Sequence, residues 1–117
     1  LYDLVDIQLD TFPFGGWTTN LDALHAGVPI VTQRGDTGRG RWGWRFLELA
    51  NVDIGRATDE YAYVGAAVAL ASDTALRQQV AGQIRGSSAR WFDASYTQPT
   101  YERTVVALCT REEGAQG

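Results

Sequence analysis

The sequence predicts an α/β fold: a small parallel sheet crossed by helices, with a helix-rich C-terminal segment. Three observations predict it. Short apolar, β-branched runs alternate with segments of helical periodicity. Each of the first two runs ends in a glycine-rich loop. From Thr58 onward, apolar residues recur at helical spacing. Strand–helix–strand–helix–strand–helix is the order of parallel strands joined by crossovers. Ligands of such sheets bind outside the carboxyl ends of the strands, and both glycine loops fall on that edge.

The elements follow in order. Ile7 to Asp10 reads as a short buried strand with Ile7 and Leu9 on one face, ended by Pro13 and the pair Gly15-Gly16. A helix is expected from about Thr18 to Ala26, with Leu21, Leu24 and Val28 as its apolar positions and Gly27 as its stop. Val28 to Gln33 is the clearest strand. A loop with three glycines, Arg34 to Gly40, leads into a helix over roughly Arg41 to Ala50, with Trp42, Phe46 and Leu49 as its stripe. Val52 to Ala57 holds a third strand around Ile54. Thr58 is read as the cap of the next helix, with Asp59 and Glu60 in its first turn. Tyr61, Val64, Val68 and Ala71 form its apolar face. Asp73 caps a further helix whose stripe is Leu76, Val80 and Ile84. The last helix includes Tyr101, Val105, Leu108 and Cys109, and Pro99 is tolerable only near its start. These later stripes, and Trp91 and Phe92, are read as core.

At 117 residues the chain holds one domain or part of one, and 44% hydrophobic residues suffice for a packed core. A net charge of −4 argues against a general nucleic-acid binder. No apolar run approaches the ~20 residues of a membrane span. No basic-then-apolar leader is read, and the single Cys109 cannot pair internally, so a reducing, cytoplasmic setting is expected. All ten basic residues are arginine, and Arg34, Arg39, Arg41 and Arg45 cluster. Methionine is absent, even at position 1, so a longer parent chain is expected.

The stretch Asp10 to Asp22, DTFPFGGWTTNLD, carries the candidate chemistry. A strand, a glycine turn and a helix start can bind an anion, because the first helical N–H groups have no internal partners. Gly15 and Gly16 serve either a tight turn or such a site. Thr18 and Thr19 supply two hydroxyls where one cap needs only one. Neither the P-loop nor the GxGxxG spacing is present. Asp22 lies one turn beyond Thr18 on the same face; it is either a dipole-stabilising acid or a carboxylate for ribose hydroxyls. Trp17 reads first as a partly buried aromatic and second as a surface for a base or sugar. His25 is read as a packing or surface residue rather than a general base. Asp36, Thr37 and Arg41 belong to the second loop, where an arginine can neutralise phosphate.

At these residues a resemblance becomes specific. DTFPFGGWTTNLDALHAGVPIVTQ, then GDTGRGRWGWRFL, then SSARWFD resemble, in order and spacing, the C-terminal part of the catalytic region in the O-linked N-acetylglucosamine transferase and SPINDLY group, glycosyltransferase family 41. The likeness runs from about Tyr2 to Leu108. It implies a GT-B fold, in which residues 1–111 are part of the C-terminal nucleotide-sugar-binding domain, a Rossmann-like half-domain, and 112–117 a frayed tail. It implies inverting transfer of N-acetylglucosamine or a similar sugar from a UDP- or GDP-sugar to Ser or Thr of protein or peptide acceptors. No metal and no cofactor beyond the donor are implied, and no nucleic-acid or membrane partner. By resemblance, Gly16, Thr18 and Thr19 bind the donor diphosphate and Asp22 the ribose. Trp17, Gly35, Asp36, Thr37 and Arg41 are candidate donor-loop residues with less defined roles.

Departures from the family pattern are Trp17, Gly40, Trp42, Trp44 and Pro99. The family's donor-contacting lysine, its acceptor-side domain and its helical repeats would lie upstream, and no general base is identifiable in this chain. The isolated chain is therefore expected to be incomplete and inactive. Two other readings stay open: a non-catalytic nucleotide or nucleotide-sugar binding module, and a GT-B enzyme with a small-molecule acceptor.

Overall fold

A computed structural model describes the backbone of residues 1–91 and 93–116, with the side chains of 88–91, 94, 96–97 and 112–116 left aside. The expectations for the side chains of Trp91 and Phe92 lie outside the described residues. A 3-10 turn, Tyr2–Leu4, precedes β1 (Gln8–Leu9), α1 (Thr18–Ala26) and β2 (Ile30–Gln33). A second 3-10 turn, Gly38–Gly40, leads into α2 (Trp42–Leu49) and β3 (Arg56–Ala57). Three helices complete the chain: α3 (Glu60–Ser72), α4 (Thr74–Trp91) and α5 (Ala94–Gln116).

The sheet is parallel, in the order β1-β2-β3. Gln8 pairs with Ile30 and Leu9 with Val31, while Thr32 pairs with Arg56 and Gln33 with Ala57. The central strand is the β-branched one because it is covered on both faces. Its Ile30, Val31 and Thr32 are all buried. Around it pack Leu24 of α1, Leu47 of α2, Val52, Leu70 of α3 and Ile84 of α4, all nearly or fully buried. Each such side chain contributes roughly 1.5–3 kcal/mol relative to an exposed one.

Several expected features hold. Gly27 closes α1 in the left-handed region, φ 75°, where its N–H meets the Ala23 and Leu24 carbonyls. The Asp73 carboxylate accepts the Leu76 N–H at 3.0 Å. Val80 and Ile84 are buried and Leu76 packs against the core.

Other details are corrected. The cap of α3 is Asp59, which accepts the Ala62 N–H at 2.7 Å, and not Thr58. The buried face of α3 is Tyr63, Ala66, Ala67 and Leu70, whereas Tyr61, Val64 and Val68 face outward. From Tyr61 to Ser72 this helix holds no charged residue, so spacing alone cannot choose a face. In α2 the buried set is Gly43, Phe46 and Leu47, and Trp42 and Leu49 are exposed. The first strand, expected to be buried, lies at the edge of the sheet with Leu9 exposed, and the third strand is Arg56–Ala57, beyond Ile54. Tyr101, Val105 and Leu108 of α5 are exposed, and Pro99 lies inside that helix rather than at its first turn. The molecule measures 63 × 30 × 23 Å.

Candidate functional site

The site begins where β1 delivers Asp10 to the carboxyl edge of the sheet. Asp10 is 5% exposed, and each of its polar atoms is engaged. Its N–H donates to the Val31 carbonyl at 2.8 Å, and its own carbonyl accepts the Tyr63 hydroxyl at 2.9 Å. One carboxylate oxygen, Oδ1, accepts the Gly16 N–H at 2.8 Å; the other, Oδ2, accepts the Thr32 hydroxyl at 2.9 Å. The Gly16 amide is thus turned inward. Its N–H group is therefore already engaged within the chain.

Beyond the turn, α1 starts with an open N-terminus. Trp17 occupies the N-cap position and, among the described residues, no side chain caps the helix. The first backbone bond is Leu21 N–H to the Trp17 carbonyl at 3.0 Å. The amides of Thr18, Thr19 and Asn20 precede it, as the unpaired amides of any helix start do. Thr18 and Thr19 are exposed beside them, and Asp22 is exposed one turn further along. A hollow of about 200 Å³ opens here, lined by Gln8, Asp10, Thr11, Gly16, Thr19 and Asn20 among others. Asn20 is fully buried; its Oδ1 accepts from Gln8 Nε2 at 2.6 Å, and its Nδ2 has no partner among the described residues.

The second loop is tied to the first. The Gly15 N–H donates to the Arg39 carbonyl at 3.2 Å. A side chain at Gly40 would place Cβ 2.6 Å from the Pro13 carbonyl oxygen, so only glycine allows this approach. Within the loop, Gly35 N–H donates to the Gly40 carbonyl at 2.9 Å. Arg41 closes it, with Nε donating to the Gly35 carbonyl at 2.7 Å and Nη2 to the Asp36 carbonyl at 3.2 Å. Arg41 therefore shapes the loop, in addition to placing a positive charge beside it. Asp36 and Thr37 are exposed. The structure thus brings Gly16, Trp17, Thr18 and Thr19 together with Gly35, Asp36, Thr37 and Arg41 at one sheet edge.

Two departures from the family pattern prove to be one feature. The Trp17 ring meets Trp42 edge-on with centroids 4.3 Å apart, and Phe46 lies 5.3 Å away. This aromatic group joins the start of α1 to the start of α2. Trp44 serves elsewhere: Arg34 and Arg56 flank its ring at 5.7 and 5.3 Å. Arg45 pairs with Glu48 on the outer face of α2.

A larger cavity, about 510 Å³, lies at the opposite edge between Tyr2, Gly27, Pro29, Arg77 and Arg85. It holds none of the expected site residues, so size alone does not mark the site here.

Sequence reasoning passed over Thr32, Gly43 and the roles of Asp10 and Asn20. A Cβ at Gly43 would lie 2.4 Å from Asp10 Oδ2 and 2.7 Å from Thr32 Oγ1, so α2 is seated directly on this pair. An acid ending an apolar strand just before Gly-Gly was the one available signal for Asp10. Asn20, Thr32 and Gly43 had none.

A parallel sheet with an open helix N-terminus at its carboxyl edge defines an α/β, Rossmann-like half-domain. No protein-family model matches the chain. A probable UDP-N-acetylglucosamine–peptide N-acetylglucosaminyltransferase SPINDLY of Oryza sativa subsp. japonica is 40% identical over 91 residues, covering 76% of this chain and 10% of that protein. The protein so described in Eustoma exaltatum subsp. russellianum is 45% identical over 72 residues, or 62% of this chain and 8% of its own. Among solved structures, a mutant O-GlcNAc transferase of Thermobaculum terrenum aligns with a TM-score of 0.78 and 27% identity, over 95% of this chain and 22% of that one. The chain is a homologue of the SPINDLY and O-GlcNAc transferase group of glycosyltransferases. It spans about a tenth of the length of the sequence relatives it matches. Among the described residues, no helix is long and apolar enough to cross a membrane.

Proposed function

We propose that this chain forms the donor side of a protein O-glycosyltransferase site and binds a nucleoside diphosphate sugar, with UDP or GDP as the nucleotide. The open N-terminus of α1, bearing Thr18 and Thr19 at the carboxyl edge of the sheet, is the observation that carries the reading. Diphosphate oxygens accept hydrogen bonds from the free amides and the two hydroxyls. The helix dipole adds roughly 0.3–1 kcal/mol, up to ~2 where solvent is displaced. Asp22, one turn along, accepts from the ribose hydroxyls. The loop closed by Arg41 flanks the leaving diphosphate.

In the whole protein, a serine or threonine hydroxyl of a protein or peptide acceptor displaces the diphosphate at the anomeric carbon, with inversion. The chain's share is to stabilise the departing charge; no general base is identified among its described residues, and the donor is the only small molecule the reading requires. The relatives' descriptions, which name UDP-N-acetylglucosamine and peptide, support this donor and acceptor class. The proposal keeps the cytoplasmic setting that the single Cys109 suggests.

Calorimetry of the chain with UDP and with GDP tests donor binding. Heat of saturable binding with either is expected; none from a folded sample overturns the proposal. Transfer to a peptide by the full-length gene product separates an enzyme from a binding module, and a small-molecule acceptor would show in the same assay.

A further inference from the structure

We propose that Asp10 is a positioning residue of the donor site: its buried carboxylate holds the Gly16 amide and seats both glycine loops, and so sets where Thr18 and Thr19 stand. This role rests on the donor-binding reading above. Four separate parts of the chain converge on Asp10. Its backbone is fixed to β2 through Val31 and to α3 through the Tyr63 hydroxyl. Its Oδ1 takes the Gly16 N–H, and its Oδ2 takes the Thr32 hydroxyl. The two glycines nearest Oδ2 stand close against it: no side chain fits at Gly43, and one at Gly15 would be a tight contact. A Cβ at Gly15 would lie 3.1 Å from it, and one at Gly43 would lie 2.4 Å from it. Gly15 belongs to the first loop, and Gly43 to the helix that follows the second. One carboxylate is therefore the common wall against which both loops are packed.

A buried carboxylate is tolerated only where its oxygens are hydrogen-bonded. Here the bond to Gly16 also decides the direction of the turn. With that amide pointed inward, the chain enters α1 with Thr18 and Thr19 exposed. Asp10 itself touches no donor atom in this arrangement; it acts through Gly16.

Three variants test the role. Asp10→Asn keeps an acceptor for Gly16, and its amide can donate to the Thr32 hydroxyl, which accepts as readily as it donates. Asp10→Ala deletes both bonds. Thr32→Val removes only the second. For the unmodified chain and Asp10→Asn, the Gly16 amide should be protected from hydrogen exchange, and UDP or GDP should bind with similar affinity. In Asp10→Ala that protection should vanish while the amides of the β2 core stay protected, and affinity should fall about tenfold or more. Thr32→Val should lower affinity by about threefold. Rescue by asparagine separates geometry from charge, and the single-amide exchange readout separates local positioning from loss of fold.

A folded Asp10→Ala that binds as tightly as the unmodified chain overturns the role. If Asp10→Ala does not fold, Thr32→Val decides, and unchanged affinity there overturns it. Failure of the unmodified chain to bind either nucleotide overturns the donor reading itself, and this role with it.

Discussion

Gly16→Ala separates a glycine needed by the fold from a glycine needed by a ligand. The backbone there is not left-handed, since Gly27 is the glycine with positive φ among the described residues. A methyl at position 16 would stand 3.4 Å from Thr19 Cβ and 3.6 Å from both Asn20 Oδ1 and Asp10 Oδ1, which is ordinary contact. Replacing glycine in an allowed conformation restricts the unfolded chain and stabilises by about 0.4–1 kcal/mol. The 3.4 Å contact offsets part of that gain, so stability should rise by between about 0 and 1 kcal/mol. The melting midpoint would then rise by no more than about 4–8 °C. Affinity should move the other way. The methyl projects among residues lining the hollow at the start of α1. A phosphate oxygen hydrogen-bonded near 3 Å from the turn would compete for that space. A loss of at least about tenfold, or 1.4 kcal/mol, is expected for UDP or GDP. Thermal denaturation followed by circular dichroism gives the first quantity and calorimetry the second. A folded alanine variant with unchanged affinity would show that nothing approaches Gly16, and would refute the placement of the diphosphate.

Three further outcomes are expected. Asp22→Ala should weaken nucleotide binding by about 1–3 kcal/mol, as for a lost charge-assisted hydrogen bond, and leave the melting midpoint in place because Asp22 is exposed; unchanged calorimetric affinity removes it from the site. Gly43→Ala should destabilise by about 1–3 kcal/mol in urea titration. A Cβ at 2.4 Å from Asp10 Oδ2 outweighs the roughly 1 kcal/mol that alanine adds to a helix, and a more stable variant would mean that α2 slides freely. Tyr63 gives a pH dependence. Burial first, and the charge of Asp10 second, hold its phenol above the ordinary value of 10.0. The folded chain therefore keeps a proton that the unfolded chain has lost. Stability from this group is whole below about pH 10 and falls as pH rises through the folded value. Tyr63→Phe should flatten that alkaline slope and cost about 0.5–1.5 kcal/mol at neutral pH through the lost bond to the Asp10 carbonyl; an unaltered slope in the unfolding curves would rule Tyr63 out as its source.

Much of the architecture was legible in the residues. Val28 to Gln33 announced a strand because its β-branched residues suit a pleated, packed backbone. Gly27 announced the end of α1 because it takes a left-handed φ of 75° that other residues resist. The strand–glycine–threonine order placed an open helix start at the sheet edge, and the matching of DTFP, the paired threonines and GVP-V-T at family spacing agrees with the 40–45% identity to SPINDLY relatives.

Other features depended on what the chain packs against. Between Tyr61 and Ala71 the helix α3 is apolar on every side, so its inward face was set by where the sheet lies, and Leu70 with Tyr63 went in while Val64 and Val68 stayed out. The α2 stripe turned for a related reason: Gly43 had to face Asp10 and Thr32, where no side chain fits. The pairing of Trp17 with Trp42 joins residues far apart in sequence, and no local pattern encodes it. By itself, the sequence determined that strands alternate with helices, that two glycine loops share one edge, and that hydroxyls stand at a helix start. Those properties follow from local backbone preference and side-chain periodicity. Only the tertiary structure decided that the Gly16 amide turns inward to the buried Asp10, because a polar group's partner there is settled by which surfaces are pressed together and sealed from water, and that the exposed Arg41 folds back onto its own loop carbonyls.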